Sequence, residues 1–342
     1  MTVRVSIKDV AVRAGVAFQT VSKVLNGKGS VAPATRERIL AAAEELGYVP
    51  DARARSVRTR VTGAIGVITS EFGNTTIAQH LVGVEREAGR HELGVIISSI
   101  DSDGTDCERR IRVLRERRVD GVIINAPVVE DRDDLAALLR DGPPVVSMHH
   151  LPGAGHSFVH GDGRGSAELP LKHLVALGHR RIAMVTGSPA RRITRLRNQV
   201  YQEVLRQAGI GYEPELVEEA HWDVDEAYRA AHRLFDRTAD ITAVYVQNDH
   251  MAIGVLSALH ERGIRVPTDC SVIGCDDIPA SSRTIPPLTT VRLPFHETGA
   301  EAVRVLREMM ADPATPVREV TLPVRLIYRS STCPPHADPP RS

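Results

Sequence analysis

The sequence lacks the groups on which most enzymes and secreted domains depend. Its four cysteines (Cys107, Cys270, Cys275 and Cys333) form no C-x-x-C pair and show no His/Cys metal spacing. Neither a disulfide framework nor a bound metal is expected, and the thiols read as free in a reducing compartment. No apolar run approaches the roughly 20 residues that span a bilayer. The opening residues are polar and charged, without the apolar core of a signal segment. A cytoplasmic protein that engages no membrane is expected. There is no G-x-S-x-G and no phosphate-cradling glycine loop. Asp249, Asp276 and Asp277 with His250 are the nearest thing to an acid–base set, and nothing marks them as poised, so no enzyme and no cofactor are expected. Aromatic residues make up only 4% of the chain, which implies aliphatic cores.

Net charge is also missing, with 43 basic residues against 43 acidic, but its distribution is uneven. Residues 1–60 hold 11 Lys/Arg and 5 Asp/Glu, whereas the remainder holds 32 and 38. A basic head on an acidic body suits a polyanion-binding module joined to one that avoids polyanions.

Within that head, residues 7–26 carry two short helical patterns around Gly15. Val10, Ala14 and Val16 can pack against Val21, Val24 and Leu25, and Gly15 stands where a helix-turn-helix needs a positive φ. The second helix turns Phe18, Gln19 and Lys23 to its polar side, where an amide can pair with a base edge and a cation can reach guanine or phosphate. Ser6 is a plausible N-cap, with Asp9 favouring the positive helix end. Pro33 suits the first turn of a third helix that runs to about Leu46 and closes at Gly47.

From Val61 onward short apolar runs alternate with amphipathic stretches such as Leu135–Arg140 and Glu168–Leu177. The runs are Ala64–Thr69, Val95–Ser99, Gly121–Asn125, Val145–Met148, Ile182–Thr186, Ala243–Gln247 and Val272–Cys275. Apolar on both faces, they predict two parallel sheets of five or six strands covered by helices. Ligands of such sheets bind at the carboxyl ends of strands. Ser70, Glu71, Asn248, Asp249 and Asp276 stand there, and Arg197 starts a helix after the Val185–Gly187 strand. Carboxylates, amides and a guanidinium together can pair with adjacent sugar hydroxyls. Trp222, the only tryptophan, and Phe295 can stack on a sugar ring. Each has a plainer alternative: Trp222 and Phe295 as core aromatics, Asn248 and Asp276 as turn formers, Asp249 as a helix cap.

The segments I-K-D-V-A-x-x-A-G-V, T-V-S-x-V-L-N and T-R-E-R-I-L-A-A-A-E-E-L-G-Y-x-P, in this order and spacing, closely resemble the lactose-repressor family of bacterial transcription factors. The resemblance implies an all-α helix-turn-helix headpiece (1–49), joined by a hinge helix (50–60) to an α/β two-lobed periplasmic-binding-protein-like core of parallel sheets (61–330). Lobe 1 would span about 61–161 and 291–319, and lobe 2 about 162–290 and 320–330, with a disordered tail at 331–342. Phe18, Gln19, Thr20 and Lys23 would read DNA, with Asn26 and Thr35 on phosphates and Arg55 and Arg58 flanking the minor groove. Val57 takes the place of the family's minor-groove leucine wedge, and a shorter side chain kinks DNA less.

Arg197, Trp222, Asn248, Asp276 and Phe295 fall at the family's sugar-contacting positions. His149 replaces an acidic residue there and Ile193 a serine, which leaves the particular sugar open. The expectation is a dimeric repressor of carbohydrate genes, bound to a pseudo-palindromic operator and released by a sugar. Two alternatives are a sugar-binding transport protein and a regulator with a purine or nucleoside corepressor.

Overall fold

A computed structural model describes residues 5–25, 30–48, 61–70, 73, 75–101, 103–130, 132–140, 142–153, 155–238 and 240–336. The chain forms two compact units that divide between Gly63 and Ala64. This boundary lies slightly beyond the start of the core expected at Val61.

The first unit contains α1 (Ile7–Ala14), α2 (Phe18–Leu25) and α3 (Pro33–Glu45). Asp9 Oδ2 accepts from the Ser6 backbone N–H at 2.8 Å and from its hydroxyl at 2.7 Å, fixing the start of α1. Gly15 ends α1 at φ 61°, a left-handed conformation that costs a glycine little. Val10, Ala14, Val21, Val24, Ile39 and Ala42 close the core of this unit. The expected partners Val16 and Leu25 pack at its rim.

In the second unit, lobe 1 starts with β1 (Ala64–Ser70), α4 (Thr75–Arg90), β2 (Gly94–Ile100), α5 (Cys107–Glu116) and β3 (Gly121–Asn125). It continues with α6 (Asp133–Arg140), β4 (Val145–Ser147) and β5 (Ser157–Gly161). Lobe 2 holds α7 (Gly165–Ala176), β6 (Ile182–Thr186), α8 (Arg192–Gln207) and β7 (Val217–Glu219). There follow α9 (Val224–Arg237), β8 (Ala243–Val246), α10 (Asp249–Glu261), β9 (Ser271–Asp276) and β10 (Thr289–Arg292). The chain returns to lobe 1 for α11 (Phe295–Ala311) and β11 (Glu319–Leu322), then to lobe 2 for β12 (Arg325–Ile327).

The lobe 1 sheet has the order β11-β5-β4-β3-β1-β2 and the lobe 2 sheet β12-β10-β9-β8-β6-β7. All pairings are parallel except β10 with β12. Continuous apolar strands follow from helices covering both faces: Val67 and Ile123 belong to one core of lobe 1, Ile68 and Ile124 to the other. On α9, Ala227, Ala230, Ala231 and Leu234 recur at helical spacing and are fully buried.

Two expected boundaries need correction. Val291 pairs with Cys275 in lobe 2, and Val320 pairs with Val159 in lobe 1. The crossings therefore fall after Arg292 and after Leu322, not at Val291 and Val320. The tail expected to be disordered from Ser331 is docked at its start. Ser331 is fully buried; its hydroxyl donates to the Val272 carbonyl at 2.6 Å and accepts from Thr289 N–H at 2.8 Å. His179 reaches the Cys333 carbonyl at 2.9 Å. These bonds satisfy backbone groups that β9 and β10 would otherwise leave open.

Candidate functional site

The headpiece site follows from which side of α2 is buried. Val21 and Val24 face the core, so Phe18, Gln19 and Lys23 are exposed and Thr20 is half-buried. Phe18 keeps half its surface in water, an unusual state for a phenylalanine that no fold contact requires. Thr35 lies half-buried in the first turn of α3, whose N-cap Ala32 supplies no side-chain bond. Asn26, Arg55, Val57 and Arg58 lie outside the described residues, as does the hinge segment.

In the body, the expected ligand residues separate into two groups. On lobe 2, Arg197 is 3% exposed. Its Nε donates to Ser166 Oγ at 3.0 Å, Nη1 to the Gln247 carbonyl at 2.5 Å and Nη2 to Cys275 Sγ at 3.3 Å. Its partners are therefore neutral. Asp276 ends β9 at φ 121° and is nearly buried. Burial, with Asp249 adding to it, pushes its carboxyl well above the usual range against the pull of Arg197.

Asp249, read as either a helix cap or a ligand contact, is not the cap. It is fully buried. Its carboxylate accepts from Ser281 Oγ at 2.6 Å, Thr290 Oγ1 at 2.6 Å and Ile278 N–H at 3.1 Å, tying the ends of β9 and β10 to α10. The cap is Asn248, whose side chain accepts from Met251 N–H at 2.9 Å. Asp277 is taken up by Arg292 and Arg329, at 2.5 Å each. Asp249 and Asp277 thus have partners within lobe 2. Trp222 packs at the rim of the lobe 2 core at φ 68°. A Cβ on Gly187 would lie 2.0 Å from its ring, so only glycine leaves room for the indole there.

On lobe 1, Ser70 ends β1 fully buried, and its hydroxyl has no hydrogen-bond partner among the described residues. Glu71 lies outside the described residues. Phe295, 8% exposed, meets the His80 ring edge-on with centroids 5.2 Å apart. His80 in turn lies 6.3 Å from the ring of His149. Asn125 Oδ1 joins the two histidines, at 3.1 Å from His80 Nδ1 and 3.4 Å from His149 Nε2. Burial first, then the charge of His149, brings the His80 pKa down to about 3, so His80 is neutral.

Sequence reasoning missed His80, Asn125, Glu130, Ser166 and Gln247. Asn125 had a signal, since it ends one of the strands read correctly. His80, inside an amphipathic helix, had none. Polar contacts between the lobes include Thr75 Oγ1 to His250 Nε2 at 3.4 Å and Arg192 N–H to Glu130 Oε2 at 3.3 Å. Among the described residues no cluster of His, Cys, Asp and Glu could hold a metal. No described helix is long and apolar enough to cross a membrane.

A helix-turn-helix unit with an exposed polar face and a two-lobed body with polar strand ends define a ligand-responsive DNA-binding regulator. Residues 6–51 match the model for bacterial regulatory proteins of the lacI family, and residues 171–332 match the periplasmic binding protein-like domain. The lactose operon repressor of Escherichia coli is 33% identical over 97% of this chain and 92% of its own length. The transcriptional repressor PurR of Haemophilus influenzae is 32% identical over 95% and 98%. A solved lac repressor dimer bound to operator and the anti-inducer ONPF superposes with a TM-score of 0.87 at 31% identity, covering 97% of this chain and all of that one. A CelR–cellobiose complex gives a TM-score of 0.72 at 31% identity, covering 96% of this chain and all of that one. The chain belongs to the lacI family of bacterial regulatory proteins. Like these relatives it is a DNA-binding transcriptional repressor, and not an enzyme.

Proposed function

We propose that this repressor is a cytoplasmic homodimer that controls carbohydrate-use genes and leaves a pseudo-palindromic operator when a sugar enters the body. The observation that carries the sugar reading is the lobe 2 strand-end group. A buried guanidinium, Arg197, lies with Asp276 at the carboxyl ends of the strands, and Asn248 stands at the end of β8. Guanidinium, carboxyl and amide are the groups that grip vicinal hydroxyls, and Trp222 supplies a flat apolar surface. Phe295 and His149 line the opposite lobe in this reading, with Ser70. Similar structures carry cellobiose in one case and ribose in another, which supports a carbohydrate. A coupling of about 1–3 kcal/mol per site is enough for such a switch.

In the headpiece, Gln19 reads bases with Phe18 and Lys23 beside it, while Thr20, Thr35 and Asn26 hold the backbone. Arg55, Val57 and Arg58 serve the minor groove. The test is a gel shift with DNA from upstream of the neighbouring genes, repeated with mono- and disaccharides and with purine bases. At least one sugar should release the wild-type complex. Arg197→Ala should bind the same DNA without being released, and Gln19→Ala should lose its preference for operator over scrambled DNA. Release by a purine and by no sugar would refute the carbohydrate reading.

A further inference from the structure

The relay on lobe 1 does not end at His149. Asn125 Nδ2 donates to the Ile77 carbonyl at 3.2 Å. A carbonyl can only accept, so this bond fixes which way the amide points. Asn125 Oδ1 then faces both histidines and can only accept, so His80 donates from Nδ1 and His149 from Nε2. The other nitrogen of His149, Nδ1, lies 3.6 Å from Glu130 Oε1.

Glu130 follows the short turn Pro127–Val129 of lobe 1, and its side chain is 11% exposed. Its second oxygen, Oε2, accepts from the backbone N–H of Arg192. Arg192 is the first residue of α8, on lobe 2, and α8 carries Arg197. The first-turn N–H groups of a helix lack intrahelical acceptors and lie at the positive end of its dipole. A carboxylate from one lobe thus satisfies the open end of the other lobe's guanidinium-bearing helix. Burial pushes the Glu130 carboxyl up, but His149, the Arg192 N–H and Arg191 together hold it below the usual range.

We propose that Glu130, oriented by His149, is a positioning residue that ties lobe 1 to the first turn of α8. Through that tie it fixes where the helix bearing Arg197 stands relative to lobe 1. The tie holds or fails whatever the body binds, so its test is independent of the sugar reading.

The experiment is residue-resolved amide hydrogen exchange on the full chain, compared for wild type, Glu130→Ala, Glu130→Gln and His149→Ala. Glu130→Ala should speed exchange of the Arg192 amide about tenfold, the loss of one charge-assisted hydrogen bond, and leave the β6 and β8 amides unchanged. Glu130→Gln keeps an acceptor oxygen without the charge and should fall between wild type and Glu130→Ala. His149→Ala, which frees the Glu130 side chain, should also accelerate Arg192. An Arg192 amide that exchanges at the wild-type rate in Glu130→Ala would overturn the proposal. So would Glu130→Gln speeding β6 and β8 as much as Arg192, because the contact would then support the fold and not a tie between lobes.

Discussion

Asp249 offers the sharpest test of the physical account, because its charge is held where water cannot reach it. Burial raises its pKa from 3.8 to about 6, against the bonds from Ser281, Thr290 and Ile278. An acid whose folded pKa is raised favours the folded state only while protonated. That contribution is complete below about pH 4 and is lost as pH rises through 6. The shift corresponds to about 3 kcal/mol by pH 7.5, at 1.36 kcal/mol per pKa unit. Asparagine has the same shape and no charge. Turned so that its oxygen takes Ile278 N–H and the Ser281 hydroxyl, its amide nitrogen can donate one N–H to Thr290 Oγ1; the second N–H and the Thr290 hydroxyl proton, which Asp249 now accepts, lose their acceptor and reduce the gain. Asp249→Asn is therefore expected to be more stable than wild type by up to about 3 kcal/mol at pH 7.5, with the gap closing toward pH 4. Urea unfolding followed by Trp222 fluorescence measures this directly, because the only tryptophan packs on the same lobe. A gap that stays constant from pH 4 to 7.5 would refute a buried, partly ionised carboxyl at this position.

Two further outcomes follow from packing. Gly187→Ala should push the Trp222 indole out of its seat, since the new Cβ would lie 2.0 Å from the ring. Emission should shift to the red and acrylamide quenching should rise, whereas an unchanged spectrum would mean the indole does not rest on Gly187. Ile39→Ala should cost the headpiece about 2–5 kcal/mol, more than so small a unit can readily lose. Circular dichroism should then show partial helix loss and DNA binding should vanish, while the urea transition of Trp222 stays in place; a stable headpiece would contradict the packing described for Ile39.

How much of this was legible in the sequence depended on how local the deciding interactions were. Ala64–Ser70, Gly121–Asn125 and Ile182–Thr186 could be read because both faces of each strand are buried, which leaves an unbroken apolar run. β11 (Glu319–Leu322) is half-exposed and carries a glutamate, so nothing local marks it as a strand. Which lobe owns it is decided by pairing with β5, about 160 residues earlier, and the boundary at Val320 was misplaced for that reason. Ser331 failed in the same way: its proline-rich neighbourhood reads as disorder, yet its burial comes from Val272 and Thr289, distant in sequence.

The exchanged roles of Asn248 and Asp249 have a different cause. β8 ends at Val246, so the residue at the N-cap of α10 is Asn248 and the next side chain turns inward. A shift of one residue in a boundary thus moves the cap from Asp249 to Asn248 and buries the Asp249 carboxyl. Arg197 shows the opposite case. Its helix follows the strand as expected but begins at Arg192 and not at Arg197, and its environment was not accessible, because Ser166, Gln247 and Cys275 come from three separate segments. Residue types at strand ends thus point to a candidate face, while the charge state of that face is set by contacts no local pattern contains. That is why the regulator class could be read before the structure, and why the protonation of Asp249 and Asp276 could not.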